Sequence, residues 1–386
     1  MCAVISVSEG IFRMSIDRPR IGLACNRASY EQDARPQEVE RLQAFSDFHY
    51  EEFDEPSEWD EVPPHNAASD AKLIEFASGL DGLIVCHGSP RITAEILDAA
   101  PRVRIVGELE GDRFAQRIDV EAASDRGVRV VDTTHGSSFG VSEWALAMTM
   151  IGLRNAGSLF RRMIAGETVF AETGDRDTDP GYLKSELSGR TVGIIGVGHI
   201  GRRLLELLKP FNVTVYAHDP YVPPEIADIY DITMTSLDNV ISIPEVVICL
   251  APLTPFTAGM IGRREIALMR PGTVFVNVSR GAIVDSDALI ERLRKHDMIA
   301  CLDVFDPEPV PADSPVRDMH NVFLTPHVAG VNVLGGPRFF SLMTDEMERF
   351  FSGHETRYDL LPRTLANRRG GPAPPRFFSR SASQFL

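Results

Sequence analysis

Four residues with chemical potential sit just past apolar runs in the second half of the chain. Val274–Val278 runs into Ser279-Arg280. Ile299–Val304 carries Asp303 and runs on to Glu308, and Val322–Leu324 runs into Thr325-Pro326-His327. A histidine suits proton transfer near neutrality because its ordinary pKa is about 6.5. A carboxylate beside it fixes the ring and stabilises the imidazolium. An arginine grips a carboxylate in a bidentate fork and polarises a neighbouring carbonyl. These are the needs of a reaction in which hydride moves to or from a carbon bearing C–OH or C=O, because a proton must then move on the oxygen. A lone histidine after a strand is commonplace packing. The three residue types at successive strand ends are what give His327 a chemical reading.

Strand ends matter because an open parallel sheet binds its ligands at the carboxyl ends of its strands. The sheet announces itself in Arg190-Thr-Val-Gly-Ile-Ile-Gly-Val-Gly-His-Ile-Gly-Arg202. Val192–Ile195 reads as a buried strand, and Gly196, Gly198 and Gly201 follow in G-x-G-x-x-G spacing, with His199 and Ile200 between them. The first glycine permits the tight turn, the second lets backbone approach a pyrophosphate, and the third lets helix and strand pack closely. The following helix offers free N–H groups and a partial positive charge to the phosphates, until Pro210 stops it. A second strand, Val213–Ala217, ends at Asp219, 18 residues beyond Gly201. A carboxylate there accepts from the adenosine ribose hydroxyls and repels a 2′-phosphate, so NAD(H) is expected over NADP(H). A third strand, Val246–Leu250, runs into Ala251-Pro252, and Pro252 joins the candidate cofactor contacts.

The first half carries the same βαβ rhythm. Arg20–Cys25, Leu83–Cys86, Val103–Val106 and Val128–Val131 read as strands, with helices over Ala68–Ser78 and Thr93–Ala99. The expected class is therefore α/β, with two doubly wound parallel-sheet domains (Rossmann or flavodoxin-like) and a cleft between them. Residues 31–61 hold twelve acids and only Arg35 and Arg41, which reads as a solvated acidic face. Val141–Ile164 has helical spacing and reads as one long helix linking the halves. Residues 166–188 read as a loop, and a last helix is expected over Phe339–Phe351, after Gly335-Gly336-Pro337. The expected boundaries are 1–140 for a substrate domain, 141–334 for the nucleotide domain, and 335–362 for a helix returning to the first. Residues 363–386, with five arginines, three prolines and no acid, are expected to be a disordered tail.

With 386 residues, 44% hydrophobic and 24% charged, the chain has the composition of an ordinary two-domain globular protein. A net charge of −16 argues against a nucleic-acid surface. Cys2, Cys25, Cys86, Cys249 and Cys301 form no CxxC pair, so neither a zinc site nor a disulfide framework is expected, and no metal. No stretch reads as a membrane span or signal peptide, a cytoplasmic location is the default, and Met14 is an alternative start.

The motifs GIIGVGHIGR (193–202), NVSRGAIVD (277–285), LDVFDPEP (302–309) and LTPHVAG (324–330) together resemble the D-isomer-specific 2-hydroxyacid dehydrogenases. DVEAASDRGVRVVDTT and VSEWALAM (119–148) match more loosely. The resemblance implies that Arg280 grips substrate carboxylate and carbonyl, that His327 is the acid/base with Glu308 as its partner, and that Asp303 hydrogen-bonds the nicotinamide carboxamide. It implies NAD as cofactor, a small 2-hydroxy or 2-oxo acid as substrate, and a homodimer. Formate oxidation is disfavoured, since those members carry glutamine at the position of Glu308. Where the family has a glycine-rich G-V-G-x-D-N-I-D, this chain reads Gly107-Glu-Leu-Glu-Gly-Asp-Arg-Phe-Ala-Gln-Arg-Ile-Asp119. Acids there would repel a substrate carboxylate. Either they point away and Arg113 takes over, or the substrate has a cationic or hydroxyl-rich portion. His87 and Gly88 lie in the loop where the family supplies further substrate contacts. Thr134-His135-Gly136-Ser137 replaces Pro-Gly-type sequences. An NAD(H)-sensing corepressor on the same fold is the alternative reading.

Overall fold

A computed structural model describes residues 18–56, 62–109, 117–169, 185–331, 333–362 and 365. In chain order the first unit comprises β1 (Arg20–Cys25), α1 (Arg27–Asp33), α2 (Pro36–Phe45), β2 (Asp47–Glu52) and α3 (Ala67–Ala77). It continues with β3 (Gly82–Val85), α4 (Ala94–Ala99), β4 (Ile105–Glu108), α5 (Val120–Asp125) and β5 (Arg129–Asp132). After α6 (Ser138–Leu153) and α7 (Ala156–Ile164) come β6 (Thr191–Ile195), α8 (His199–Leu208), β7 (Thr214–His218), α9 (Glu225–Tyr230), β8 (Thr233–Met234) and α10 (Leu237–Ser242). The chain closes with β9 (Val246–Cys249), α11 (Arg263–Leu268), β10 (Val274–Asn277), α12 (Ser286–Leu293), β11 (Ile299–Leu302), β12 (Val322–Leu324) and α13 (Gly335–Phe351).

The first sheet runs β2-β1-β3-β4-β5 and the second β12-β11-β10-β9-β6-β7-β8, every pair parallel. Both orders reverse once, at β1/β3 and at β6/β9, and those reversals are where doubly wound sheets open a ligand crevice. Central strands are covered on both faces, so they read as unbroken apolar runs: Val246–Cys249 and Ile299–Leu302 are buried throughout. Helix starts are fixed by side-chain caps, Asn66 on α3, Asp119 on α5 and Asp285 on α12. The α13 helix returns to the first sheet, where Phe339, Phe340, Met343 and Met347 fill the core beside Ile21, Leu23 and Ile105. Among the described residues no helix is long and apolar enough to cross a membrane. The four described cysteines, Cys25, Cys86, Cys249 and Cys301, are buried thiols.

Three elements differ from the sequence expectation. The stretch read as an acidic face contains the end of α1, then α2 and β2. The β2 strand is an edge strand, where charged side chains are tolerated and blunt self-association, so Phe48 and Tyr50 pack inward while the acids hide the alternation. The long helix at 141–164 is two helices, broken where Asn155 adopts a left-handed φ of 47°. Asparagine tolerates that region better than other side chains, and the break turns α7 onto β12, where a Cβ on Gly157 would meet Phe323 at 2.5 Å. The last helix starts at Gly335, so the glycines and Pro337 are its first turn, where proline's missing N–H costs nothing. The loop expected over 166–188 falls largely outside the described residues, as do the tail, Cys2 and Met14.

Candidate active site

The carboxyl ends of both sheets line one cleft of about 1910 Å³. On the second-sheet side it is lined by Gly196, Gly198, His199, Ile200, Gly201, Asp219 and Pro252, and by Arg280, Glu308 and His327. The glycine turn has the geometry its spacing predicts. Gly196 has φ +97°, and a Cβ on Gly201 would lie 2.5 Å from the Gly196 carbonyl oxygen. Among the described residues, its chain neighbours aside, none comes within 4 Å of a Cβ built on Gly198, so the backbone there is open to a pyrophosphate. The Asp219 carboxylate accepts from the backbone N–H of Val197 at 2.8 Å and of Tyr221 at 2.9 Å. It is thereby tied to the glycine turn. These residues fit a dinucleotide.

His327 and Glu308 meet directly, Nδ1 to Oε1 at 2.6 Å. His327 sits in the left-handed region at φ +54°, an uncommon place for a non-glycine residue. Asp303 holds it there. The Asp303 carbonyl accepts from the His327 N–H at 2.8 Å, and its carboxylate accepts from Val328 N at 3.0 Å, Ala329 N at 2.9 Å and Thr325 Oγ1 at 2.5 Å. Trp144 Nε1 reaches Thr325 Oγ1 at 3.4 Å, which ties the loop to α6. Asp303 is 1% exposed and is not among the residues lining the cleft. The sequence brought it forward as a cofactor contact; its visible bonds are to the histidine loop. Arg280 follows β10 in extended backbone, with its carbonyl held by Asn277 Nδ2 at 3.1 Å and its guanidinium donating to the Ser279 carbonyl at 2.6 Å.

The first-sheet rim contributes Asn26, Asp54, Glu55 and His87 to the cleft. The His87 carbonyl accepts from Asn26 N at 2.6 Å, and the Gly88 carbonyl accepts from Glu55 N at 2.9 Å. Gly88 is buried at φ +89° and does not line the cleft. Arg113 and Glu110 lie outside the described residues. Glu108 points away from the substrate space: it is 0% exposed, and its Oε1 accepts from Arg117 Nη1 at 3.0 Å, with Arg117 2% exposed. Asn26 and Glu55 were missed from sequence, although applying the strand-end rule to β1 and β2 would have found them.

Comparison with known proteins places this geometry. Residues 147–329 match the model for the D-isomer specific 2-hydroxyacid dehydrogenase, NAD binding domain. A mitochondrial formate dehydrogenase of Solanum tuberosum is 30% identical over 298 residues, covering 76% of each chain. The chain belongs to the D-isomer specific 2-hydroxyacid dehydrogenase family. Within that family, D-3-phosphoglycerate dehydrogenase of Methanocaldococcus jannaschii is 32% identical over 269 residues, covering 69% of this chain. The chain matches only about half, 49%, of that relative's length. A phosphoglycerate oxidoreductase structure from Rhizobium etli shares the fold, with a TM-score of 0.75 at 19% identity over 90% of this chain and 100% of that one. The matched model is an NAD binding domain, so the cofactor of the family is NAD(H), and the matched residues include the glycine turn.

Proposed function

We propose that the protein is an NAD(H)-dependent oxidoreductase that passes a hydride between the nicotinamide and C2 of a D-2-hydroxy or 2-oxo acid. The observation that carries this reading is the 2.6 Å contact between His327 and Glu308, in a cleft that also holds Arg280 and the glycine turn. The bound nicotinamide would supply the hydride acceptor or donor. In the oxidation direction the Nε2 of His327 takes the hydroxyl proton, while Glu308 accepts from Nδ1–H, fixing the tautomer and stabilising the imidazolium. Arg280 anchors the acid's carboxylate and polarises the carbonyl oxygen. Asp303 keeps the His327 backbone in place. A carboxylate at Glu308 suits a reaction that moves a hydroxyl proton, which favours 2-hydroxy acids over formate. The complete Arg/Glu/His set also favours an enzyme over a pure NAD(H) sensor. The domain boundaries at 140 and 334, and assembly as a homodimer, belong to the same proposal.

The test is NADH oxidation over a panel of 2-oxo acids graded in size and charge, with His327→Asn in parallel. Turnover that vanishes in the variant is the expected result. Tight NADH binding with no turnover on any acid would turn the reading toward a sensor.

A further inference from the structure

Two imidazoles meet where the glycine turn faces the other unit. His199 opens α8, directly after Gly198. His135 sits in the short turn Thr134–Ser137 that joins β5 to α6. Their ring centroids are 4.7 Å apart with planes inclined by 30°. Tyr358, from the segment after α13, backs His135 at 3.8 Å. Both histidines line the cleft. A second tier follows: Arg203 of α8 and Arg338 of α13 both lie over the Phe139 ring, 4.7 and 4.2 Å from its centroid. His199 and Arg203 are four apart on one helix face, as are His135 and Phe139 in their segment, so the tiers stack in register. Arg338 also donates to the Gly136 carbonyl at 2.9 Å, which fastens the turn that carries His135.

We propose that His135 is a cofactor-binding residue supplied from the first-sheet side, its imidazole N–H donating to the pyrophosphate held by the glycine turn. The inference rests on the reading of that turn as the NAD(H) site. An anion there lies at the positive end of α8, beside His199. His135 is one ring-stacking distance from His199, on the opposite wall of the same cleft. Tyr358 and the Gly136–Arg338 bond hold the ring before any ligand arrives, so little side-chain freedom is lost on binding. Thr134-His135-Gly136-Ser137 is also where this chain departs from the Pro-Gly-type sequence of the family it resembles, and that sequence offers no side-chain donor. The cofactor is then gripped by both units at once.

The test uses the full chain and measures NADH, ADP-ribose and adenosine affinity for His135→Ala, His135→Phe and His135→Gln. The phenylalanine keeps a ring against Tyr358 and His199 but has no N–H. Charge-assisted bonds of this kind are worth about tenfold in affinity. The alanine and phenylalanine variants are expected to weaken NADH and ADP-ribose alike by that factor, glutamine to recover part of it, and adenosine to bind as before. Parent-like ADP-ribose affinity in His135→Phe would reduce the ring to packing and overturn the proposal. Loss confined to NADH would place the ring at the nicotinamide and overturn it as well. A parent protein that binds neither NADH nor ADP-ribose would instead overturn the NAD(H) reading of the turn, and is a separate result.

Discussion

At the end of β11, Asp303 gives its carboxylate to backbone N–H groups and a hydroxyl of the His327 loop. At the end of β4, Glu108 gives its carboxylate to the Arg117 guanidinium. Both acids are sealed from water at a strand end that borders the same cleft. On the second sheet the buried charge is met by neutral donors, and the acid's task is to aim an exposed neighbour. On the first, charge is met by charge, and both partners are withdrawn from the ligand. At the second rim the buried acid therefore supports an ionisable neighbour in the cleft, whereas at the first the Glu108–Arg117 pair is withdrawn and the cleft meets Asp54, Glu55 and His87 instead.

The sharpest way to break this contrast is at the exposed end of the second rim. His327→Asn removes the proton carrier and leaves the loop bonds, which are made by backbone. General acid–base groups contribute about 10²–10⁴-fold, so turnover should fall by that factor while NADH still binds, as read by steady-state rates and fluorescence titration. Near-parental turnover would strip His327 of its role.

The corresponding change on the first rim should read out in stability. Arg117→Met leaves Glu108 buried without its cation, and breaking one side of a buried pair costs about 3–5 kcal/mol. Glu108→Leu with Arg117→Met removes both charges and should recover most of that loss in urea unfolding. A single variant as stable as the parent would mean that water or another group already satisfies the acid.

The rims also each bury a thiol at a strand end. Burial pushes Cys249 at the end of β9 up to about 12, and Cys301 within β11 to about 12. Cys25 at the end of β1 is pushed higher still, by burial first and then by Cys86 and Asp33. The folded state keeps these protons where the unfolded chain, with thiols near 9.0, releases them. Stability from this source is therefore complete below pH 9.0 and is lost as pH rises toward about 12. Each such thiol should contribute a slope of about 1.4 kcal/mol per pH unit in that window. Urea unfolding from pH 8 to 10 checks this, and Cys249→Ala should flatten the slope; an unchanged slope would exclude that thiol.

The second rim was legible in the sequence because its chemistry is local. Glycine spacing, a strand and the residue after it lie within a few positions, so Gly196, Asp219, Arg280 and His327 could be placed before any coordinates. The first rim was not, because its arrangement depends on pairings across loops. Nothing in the local pattern tells whether Glu108 faces the cleft or Arg117, and β2 is concealed by the acids an edge strand can carry. The bend at Asn155 is a single backbone choice that periodicity does not register. Asp303 was found as a residue of interest, but its bonds to the His327 loop needed three dimensions.

The finest probe of the contrast is Thr325→Val, which nearly preserves shape while removing the hydroxyl between Trp144 and Asp303. If Asp303 aims the histidine through its loop, one lost hydrogen bond of about 1 kcal/mol should loosen that aim and lower kcat about fivefold. The loss should fall on kcat, with the KM for NADH unchanged. A merely structural hydroxyl would lower the melting temperature and leave kcat where it was. Should the variant instead raise the KM for NADH with kcat intact, Asp303 would belong to the cofactor, and the buried acids of the two rims would differ in ligand rather than in design.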